Sequence, residues 1–376
     1  MKIIVSADGR FHTYHLAEQL QRRGHLLKLI TVDPKLHLRK YKIDRRKIAN
    51  FIFPKLLAHG LIRGLKMDRL KVHYSMAQFF GEWVRRRLEP CDIFTSWSGF
   101  ALGALPRAKE LGAVTVLVRG SAHIEVQKEL LEEEYSRFGI DRRTVDNRMV
   151  EKELQEYEET DYIQILSTFT KNSFIEKGIP EEKLIRITPG IDLGHFKSLP
   201  GKDDLFRVIQ AGCSIQKGTH YLVQAMAELN LKNAELLLVG GISDELNSVL
   251  QRYEGYYTDY GHVPHFELYK IYSQGSVYVH PSIHEGLAAV QAEAMACGLP
   301  LICSTNTGGE DLIRDGVEGY VVPIRDVEAL KEKILYLYEH EEERRAMGLA
   351  ALERTRIFTW DRYGENLIKF YHNILK

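Results

Sequence analysis

Two glutamates separated by seven residues, Glu285 and Glu293, are candidate ligand-binding groups. Residues 288–297 predict a helix that is apolar on nearly every side, which is typical of a buried helix. A carboxylate on such a helix, such as Glu293, is poorly solvated unless a partner hydrogen-bonds it, and a pair of ligand hydroxyls would do so. Helical geometry turns Glu285 away from the face of Glu293, so we expect Glu285 in the loop before the helix.

Two further features of the sequence suit an anionic ligand. The N-terminus of the predicted helix, with Gly286, Leu287 and Ala288, leaves backbone N–H groups free and carries partial positive charge, which favours a phosphate. Residues 212–218 form a loop bounded by glycines, and Lys217 in that loop can act as a point charge for a pyrophosphate. A charged hydrogen bond of this kind contributes roughly 1.5–3 kcal/mol.

The elements that must position these residues alternate between strands and helices. Residues 277–280 and 301–304 predict parallel strands joined by the helix that carries Glu293, with Gly298 as its left-handed cap. The N-terminal half begins with a strand, a turn at Asp8 and Gly9, and a helix that Thr13 can cap. That turn lacks G-x-G-x-x-G, so the dinucleotide-binding fingerprint is absent. The pattern predicts an α/β fold.

The stretch HPSxxEGxxxxxxEAMACGLPLI, with its E-x7-E spacing, resembles the signature of family-four retaining glycosyltransferases of the GT-B fold. The resemblance extends over the whole chain and is strongest from residue 207 to residue 322. It implies two Rossmann-like, doubly wound domains that face each other across a cleft. The acceptor domain would be 1–199 and the donor domain 200–358, with a boundary in the linker 199–204, and the C-terminal helix 359–376 would pack back on the first domain.

The resemblance also implies roles for individual residues. Glu285, His123 and Lys217 match the catalytic positions. The donor, a nucleotide diphosphate sugar with UDP or GDP, would contact Gly9, Gly212, Ser214, Lys217, Val263, Glu285, Gly286, Leu287, Ala288 and Glu293. Glu293 would hold the ribose diol, and the backbone near Val263 would receive the base. Cys213 stands where the family has an arginine, so compensation of the leaving-group charge at this position is in doubt.

The composition excludes several other classes of protein. The chain has 376 residues with 51 basic and 51 acidic side chains, so no global field favours nucleic acid or a membrane. Four scattered cysteines argue against a zinc site or a disulfide framework, and we expect a cytoplasmic protein with no metal and no separate cofactor. No apolar run approaches the roughly 20 residues of a membrane-spanning helix.

Three other segments carry expectations that the structure can check. Residues 35–87 are strongly basic with interleaved apolar residues, which fits either a peripheral membrane face at the inner leaflet, a face for an anionic acceptor, or a solvated helical surface. His12 and His15 share a helix face without a third ligand and are read as polar surface residues. Residues 127–157 are highly charged and predict exposed helices without a functional role.

The resulting expectation is a retaining, metal-independent hexosyltransferase. It would move a sugar to a glycan, a lipid-linked molecule or a small molecule, in polysaccharide or glycoconjugate biosynthesis. Alternatives are a phosphorylase or nucleotide-sugar hydrolase on the same fold, a nucleotide-binding dehydrogenase, and a non-catalytic carbohydrate-binding subunit. The absent dinucleotide fingerprint counts against the dehydrogenase.

Overall fold

Two parallel β-sheets organise the chain. A computed structural model describes residues 1–9, 12–200 and 203–376, so residues 201 and 202 of the predicted linker lie outside the described residues. In the described part of the chain, one seven-stranded sheet is followed by one six-stranded sheet, and every strand pair in both is parallel. The predicted α/β class with two doubly wound units is confirmed.

The first sheet has the strand order β3-β2-β1-β4-β5-β6-β7. Its central strands are buried on both faces, which is typical of parallel sheets covered by helices. The strands are β1 (Ile3–Ala7), β2 (Leu26–Thr31), β3 (Ile48–Asn50), β4 (Ile93–Trp97), β5 (Val114–Val118), β6 (Tyr162–Ile165) and β7 (Leu184–Arg186). The helices are α1 (Thr13–Arg22), α2 (Phe53–Arg63), α3 (Arg69–Arg85), α4 (Leu105–Glu110), α5 (Ile124–Arg137), α6 (Asn147–Glu159) and α7 (Thr168–Glu176).

The second sheet has the order β10-β9-β8-β11-β12-β13. Its strands are β8 (Phe206–Ala211), β9 (Ala234–Val239), β10 (Thr258–Gly261), β11 (Val277–His280), β12 (Leu301–Ser304) and β13 (Gly319–Val322). Its helices, with those that follow, are α8 (Thr219–Leu229), α9 (Asp244–Leu250), α10 (Leu268–Tyr272), α11 (Ala289–Ala296), α12 (Val327–Glu339), α13 (Glu341–Thr355) and α14 (Trp360–Ile374). Gly298, with φ +84°, ends α11 in the left-handed conformation that the sequence predicts.

The hydrophobic cores follow the alternation of side chains along the strands. In β8, Val208 faces one cluster and Ile209 faces the other, so the second sheet has a core on each side. The aromatic stripe of the last helix, α14, belongs to the core of the first sheet through Tyr363, Leu367, Phe370 and Tyr371. The Tyr371 hydroxyl lies 2.8 Å from Thr95 Oγ1 of β4, which anchors the C-terminal helix to the first sheet.

Each sheet reverses its strand order once, and these reversals determine where ligands can bind. In the first sheet the reversal lies between β1 and β4, and in the second between β8 and β11. Open α/β sheets bind ligands in the crevice beyond the carboxyl ends of the strands at such a reversal. The loop 212–218 follows β8 and the loop with Glu285 follows β11, so both occupy this position.

The start of α1 differs from the sequence prediction in two ways. The residue before the helix is His12 and no side chain caps it, while Thr13 Oγ1 is buried without a hydrogen-bond partner in the described part of the chain. The interpretation of His12 and His15 as polar surface residues is also wrong. His12 lies edge-on to Trp97, and His15 stacks on Trp360 with ring centroids 3.8 Å apart, because α14 covers this face. Burial lowers the pKa of His15 to about 4.

The prediction that residues 127–157 are merely exposed is wrong for several of their charged side chains. Glu134 of α5 is fully buried, 3.0 Å from His220 Nε2 and 2.7 Å from Arg325 Nε, both of which belong to the second unit. Glu156 of α6 is equally buried, with Lys152 at 3.0 Å and backbone N–H groups of residues 99, 101 and 102 as donors. The ionic partners of Glu134 and the backbone donors to Glu156 come from distant segments, so helical periodicity alone could not show this burial.

Candidate active site

An ion pair joins the two loops at the strand reversal of the second sheet. The Lys217 ammonium contacts Glu285 Oε1, and both side chains are mostly buried. Lys217 comes from the loop after β8, and Glu285 from the loop after β11, which is hydrogen-bonded beside β8. The geometry therefore brings together two of the three predicted catalytic residues.

Backbone hydrogen bonds hold these two loops in register. The Gln216 carbonyl accepts from Ile283 N and from Ser282 Oγ, each at 2.9 Å. Ser214 Oγ accepts from Lys217 N at 3.1 Å, so this predicted donor contact also shapes its own loop. Gly218 has φ +64°, and a Cβ there would collide with the backbone of Pro281. Only glycine therefore allows the two loops to approach this closely.

Glu293 is buried, as the sequence predicts. It lies on α11, is 4% exposed, and accepts one hydrogen bond, from His265 Nε2 to Oε1 at 2.8 Å. Its other oxygen, Oε2, is buried without a hydrogen-bond partner among the described residues. A half-satisfied buried carboxylate is costly, which marks Oε2 as an acceptor for a ligand hydroxyl. His265 was not singled out in the sequence, although it directly follows the segment expected to receive the base.

The N-terminus of α11 is fixed against the first unit at Gly286. The Gly286 carbonyl accepts from Ser167 Oγ at 2.5 Å and from Thr170 Oγ1 at 3.3 Å, both of α7 and its cap. A Cβ on Gly286 would overlap the backbone of Gly120. Glu285 N donates to Asn306 O at 2.9 Å, which orients the loop. The two units are thus in direct contact at the loop expected to bind phosphate.

His123 lies on the opposing unit, two residues from the contact between them. Ser121 Oγ and His284 Nε2 are 3.1 Å apart across that contact. The His123 ring is buried beside Tyr157 and Phe174, and its Nδ1 accepts a hydrogen bond from Glu125 N at 3.4 Å. Burial, with Arg119 and Lys177 nearby, lowers the pKa of His123 to about 4, so the ring is neutral at pH 7 and Nε2 carries its proton.

The remaining predicted donor contacts lie in three places. Gly212 begins the loop of Lys217, while Leu287 and Val263 pack against the cluster beneath α11. Gly9 instead lines a cavity of the first unit with Asp8. Cys213, in the place of the family's arginine, offers no charge: its Sγ lies 3.7 Å from Val239 O, and burial, with Asp259 nearby, raises the pKa of the thiol to about 12.

A second set of polar contacts between the two units, at Asp311, was not predicted from the sequence. Asp311 accepts hydrogen bonds from Thr168 N at 2.5 Å and from Thr168 Oγ1 at 2.8 Å, and it contacts the Arg186 guanidinium. Thr168 begins α7, directly after the serine that holds Gly286, so one segment of the first unit binds the second at two points. The acid and its partners are more than a hundred residues apart in sequence, which leaves no local signal.

The site combines acidic, basic and backbone polar groups. Within residues 1–9, 12–200 and 203–376, no group of three His, Cys, Asp or Glu side chains is placed to hold a metal ion. The available chemistry consists of two carboxylates, one ammonium and the N-terminus of a helix, and all three side chains are mostly buried. Such preorganised groups stabilise charge that develops on a leaving group.

Comparison with known families agrees with the family that the sequence motif resembles. The family model described as glycosyl transferases group 1 matches residues 194–354, and the model described as glycosyltransferase family 4 matches residues 10–195. Together they span nearly the whole chain and meet between its two sheets. The chain belongs to the group 1, family 4 glycosyltransferases. The predicted family is confirmed.

Curated relatives of this glycosyltransferase match it over part of their length. It is 30% identical over 118 residues to the O-antigen chain mannosyltransferase B of Escherichia coli, covering 31% of this chain and 30% of that protein. It is 28% identical over 215 residues to the D-inositol 3-phosphate glycosyltransferase of Segniliparus rotundus, covering 52% and 48%. The glycosyltransferase thus aligns with half or less of the length of these two relatives.

Solved structures share the fold across both full chains. Sucrose-phosphate synthase from Thermosynechococcus elongatus superimposes with a TM-score of 0.71 at 18% identity, covering 100% of this chain and 99% of that one. The Anabaena protein HepE, solved with UDP and glucose, gives a TM-score of 0.70 at 16% identity, covering 99% and 100%. The predicted GT-B architecture is confirmed. None of the helices that the structure describes in this glycosyltransferase is both long and apolar enough to span a bilayer.

Proposed function

We propose that this glycosyltransferase transfers a hexose-type sugar, with retention of configuration, from a nucleotide diphosphate sugar to a glycan, lipid-linked or small-molecule acceptor. The donor rests mainly on residues 200–358, and the acceptor on residues 1–199 with the helix 359–376. The observation that carries the proposal is Glu293 Oε2, which is buried and has no hydrogen-bond partner in the part of the chain that the structure describes. Glu293 lies on α11, and the N-terminus of α11 follows Glu285. The same helix therefore presents a carboxylate for a diol and backbone N–H groups for a diphosphate.

The donor would bind by exchanging partners with the Lys217–Glu285 ion pair. The diphosphate takes the Lys217 ammonium together with the N–H groups of Gly286 and Leu287, and the sugar hydroxyls take the Glu285 carboxylate. The Ala288 N–H, which the sequence also predicts as a donor contact, already donates to Thr307 O at 3.4 Å. Neither charge is left uncompensated before or after binding, which limits the desolvation cost of the pocket. The ribose hydroxyls satisfy Glu293, whose second oxygen remains on His265.

Retention follows a front-face attack through an oxocarbenium-like transition state, as the family resemblance implies. The leaving diphosphate then needs positive charge more than the sugar needs a nucleophile. Lys217 and the N-terminus of α11 supply that charge, because Cys213 cannot. Neutral His123, with its proton on Nε2, would donate to a sugar hydroxyl from the opposite unit. The contacts of Gly286 with Ser167 and Gly120 close the site against water.

A thermal-shift screen with UDP, GDP and ADP sugars tests the donor assignment. We expect one nucleotide class to raise the melting temperature, because a ligand that binds only the folded state stabilises it. The stabilising donor is then incubated with and without inorganic phosphate and without acceptor. Phosphate-dependent cleavage would favour a phosphorylase, rapid cleavage in water a hydrolase, and little of either a transferase. Absence of any shift would contradict the proposal.

We also propose an anionic membrane surface as a partner. Helices α2 and α3 pack as a hairpin and, with the adjoining connection, expose Phe53, Leu57, Leu65, Met67 and Phe79. Arg63, Lys66 and Lys71 are exposed on the same segment. Apolar side chains that insert at the interface and basic ones that attract anionic headgroups reinforce each other. This favours a membrane face over a merely solvated surface.

A further inference from the structure

A cavity of about 750 Å³ lies in the first unit, beyond the carboxyl ends of β1, β4 and β5. Gly9, Ser98 and Gly120 line it, each just after one of these strands. Gly120 and Ser121 line it where they contact the loop that carries Glu285: Ser121 Oγ lies 3.1 Å from His284 Nε2, and Gly286 packs against the Gly120 backbone. A ligand in the cavity would therefore reach the donor site from the opposite unit, as an acceptor must.

Among the residues that the structure describes, four arginines line this cavity, and one of them has all its donors engaged within the protein. Arg119 donates to Ala122 O at 3.0 Å, to Glu153 at 2.7 Å and to Gln127 at 2.6 Å. The other three surround the cavity on two segments: Arg69 begins α3, while Arg142 and Arg143 lie between α5 and α6.

The carboxylates of the cavity do not neutralise these three guanidinium groups. Glu153 is paired with Arg119 and also accepts from Ser98 Oγ and Tyr157 OH, at 2.6 and 2.8 Å. Asp146 caps α6 and is paired with Arg148, outside the lining, at 2.8 Å. The third carboxylate is Asp8, and burial raises its pKa to about 7, so much of its charge is absent near neutral pH.

The three guanidinium groups are also available to a ligand. Arg69 forms no ion pair with a residue that the structure describes. Arg142 is paired with Glu245, and Arg143 with Asp68 at 3.2 Å, but all four of these side chains are nearly half exposed. Ion pairs at that exposure are weak and yield readily to a better partner. Asp68 has other donors, because it caps α3 through Leu70 N and Lys71 N.

We propose that this cavity binds the acceptor through a phosphoryl group held by Arg69, Arg142 and Arg143. The inference rests on the proposed transfer reaction and names the class of its acceptor. A phosphoryl dianion has several oxygens that match more than one guanidinium fork, whereas a carboxylate is satisfied by one. Three available guanidinium groups around one cavity fit the dianion.

The phosphoryl group could belong to a soluble ester or to a lipid. The cavity adjoins the proposed membrane hairpin, since exposed Leu65 and Met67 immediately precede the segment that begins with Arg69. Two probes separate these sources: glycerol 1-phosphate in solution, and farnesyl phosphate in non-ionic detergent micelles.

Calorimetric titration of both probes into the full chain tests the proposal. The protein is first saturated with the nucleoside diphosphate selected by thermal shift, which blocks the donor phosphate site. The variants are Arg69→Ala and Arg142→Gln/Arg143→Gln. The matched control is Arg86→Ala, which removes an exposed arginine that directly follows the last residue of α3 and does not line the cavity.

We expect at least one probe to bind the unmodified protein and to bind each cavity variant roughly ten- to a hundredfold more weakly, as for the loss of charge-assisted hydrogen bonds. The control should remain within about twofold, on the same reasoning. Nucleotide binding should be unchanged in all variants. If the unmodified protein binds no nucleotide, the proposed function is overturned. The cavity proposal is then still tested by whether the two phosphate probes bind. The inference is overturned if neither probe binds, or if both cavity variants bind the probes normally. Glucuronate, a carboxylate without a phosphoryl group, is titrated as a control ligand. The inference is also overturned if glucuronate binds as tightly as the probes and with the same dependence on the arginines.

Discussion

Lys217 and Glu285 form an ion pair across two loops that follow adjacent strands at the point where the order of the second sheet reverses. Each side chain gives the other the partner that a donor would later supply. In the proposed binding mode, the ammonium contacts the diphosphate and the carboxylate contacts sugar hydroxyls. This exchange gives the site its first testable consequence.

Replacing either partner of this pair should abolish most of the transfer while the protein stays folded. We expect Lys217→Ala and Glu285→Ala to lower kcat/KM by about 10- to 100-fold or more, because each removes a charged contact with the donor or its transition state. The measurement is steady-state transfer with the donor found by thermal shift. Circular dichroism checks the fold, and Lys232→Ala, at an exposed lysine of the same unit, is the control. Near-normal turnover in both variants would rule out the site assignment.

Gly286 should tolerate no side chain, because the two units meet at its backbone. A Cβ in Gly286→Ala would overlap Gly120, so the loop or the whole second unit must move away. We expect a large loss of transfer with only modest loss of stability. Gly60→Ala, in open space on α2, is the matched control and should keep full activity. Activity of Gly286→Ala equal to that of the control would show that this close approach is not needed for catalysis.

The His265–Glu293 contact should make stability depend on pH. The hydrogen bond that His265 donates to Glu293 raises the pKa of His265 above its ordinary value of 6.5, while burial and the nearby Lys40 oppose the shift. The contact therefore stabilises the fold fully below pH 6.5 and loses this effect as the pH rises through the raised pKa. His265→Gln should lower the melting temperature more at pH 6 than at pH 8.5.

His265 is well exposed, so the expected difference is small, below about 1 kcal/mol. His262→Gln, at an exposed histidine of the same loop, controls for the loss of a ring. A destabilisation by His265→Gln that is equal at both pH values would contradict an ionic contact with Glu293.

The α2–α3 hairpin should bind anionic vesicles through both its apolar and its basic residues. Phe53→Ser/Leu65→Ser should reduce co-sedimentation with anionic vesicles at low salt, because two exposed apolar side chains no longer insert. Leu349→Ser, which removes an equally exposed leucine from α13, should bind like the unmodified protein. Equal binding by all three proteins, or no binding by any of them, would contradict the proposal that this hairpin binds a membrane.

The sequence predicts best where local patterns and chemistry coincide. The strands on either side of α11, the loop position of Glu285 and the burial of Glu293 all follow from apolar periodicity and from one glycine cap. The family signature lies in the same stretch, so site and fold could be inferred together. The βαβ unit is local, and its core is dictated by adjacent residues.

What the sequence does not reveal depends on contacts between distant segments. In the sequence Glu134 is one of several charges in an acidic helix, and only the structure places His220 and Arg325 around it. His12 and His15 are covered by Tyr363 and Trp360 of the C-terminal helix α14, which lies at the opposite end of the chain. Likewise, Arg69 and Arg143 border one cavity only because α3 packs beside the loop before α6. No periodicity in the sequence records these pairings.

Binding of a ribonucleoside diphosphate and of its 2′,3′-dideoxy analogue, compared in the unmodified protein and in Glu293→Gln, tests the central assignment most directly. If Glu293 Oε2 holds the ribose diol, the unmodified protein should prefer the ribonucleotide by about tenfold or more, and the variant should lose most of that preference. Equal binding of the two nucleotides by the unmodified protein, or an undiminished preference in the variant, would contradict the account.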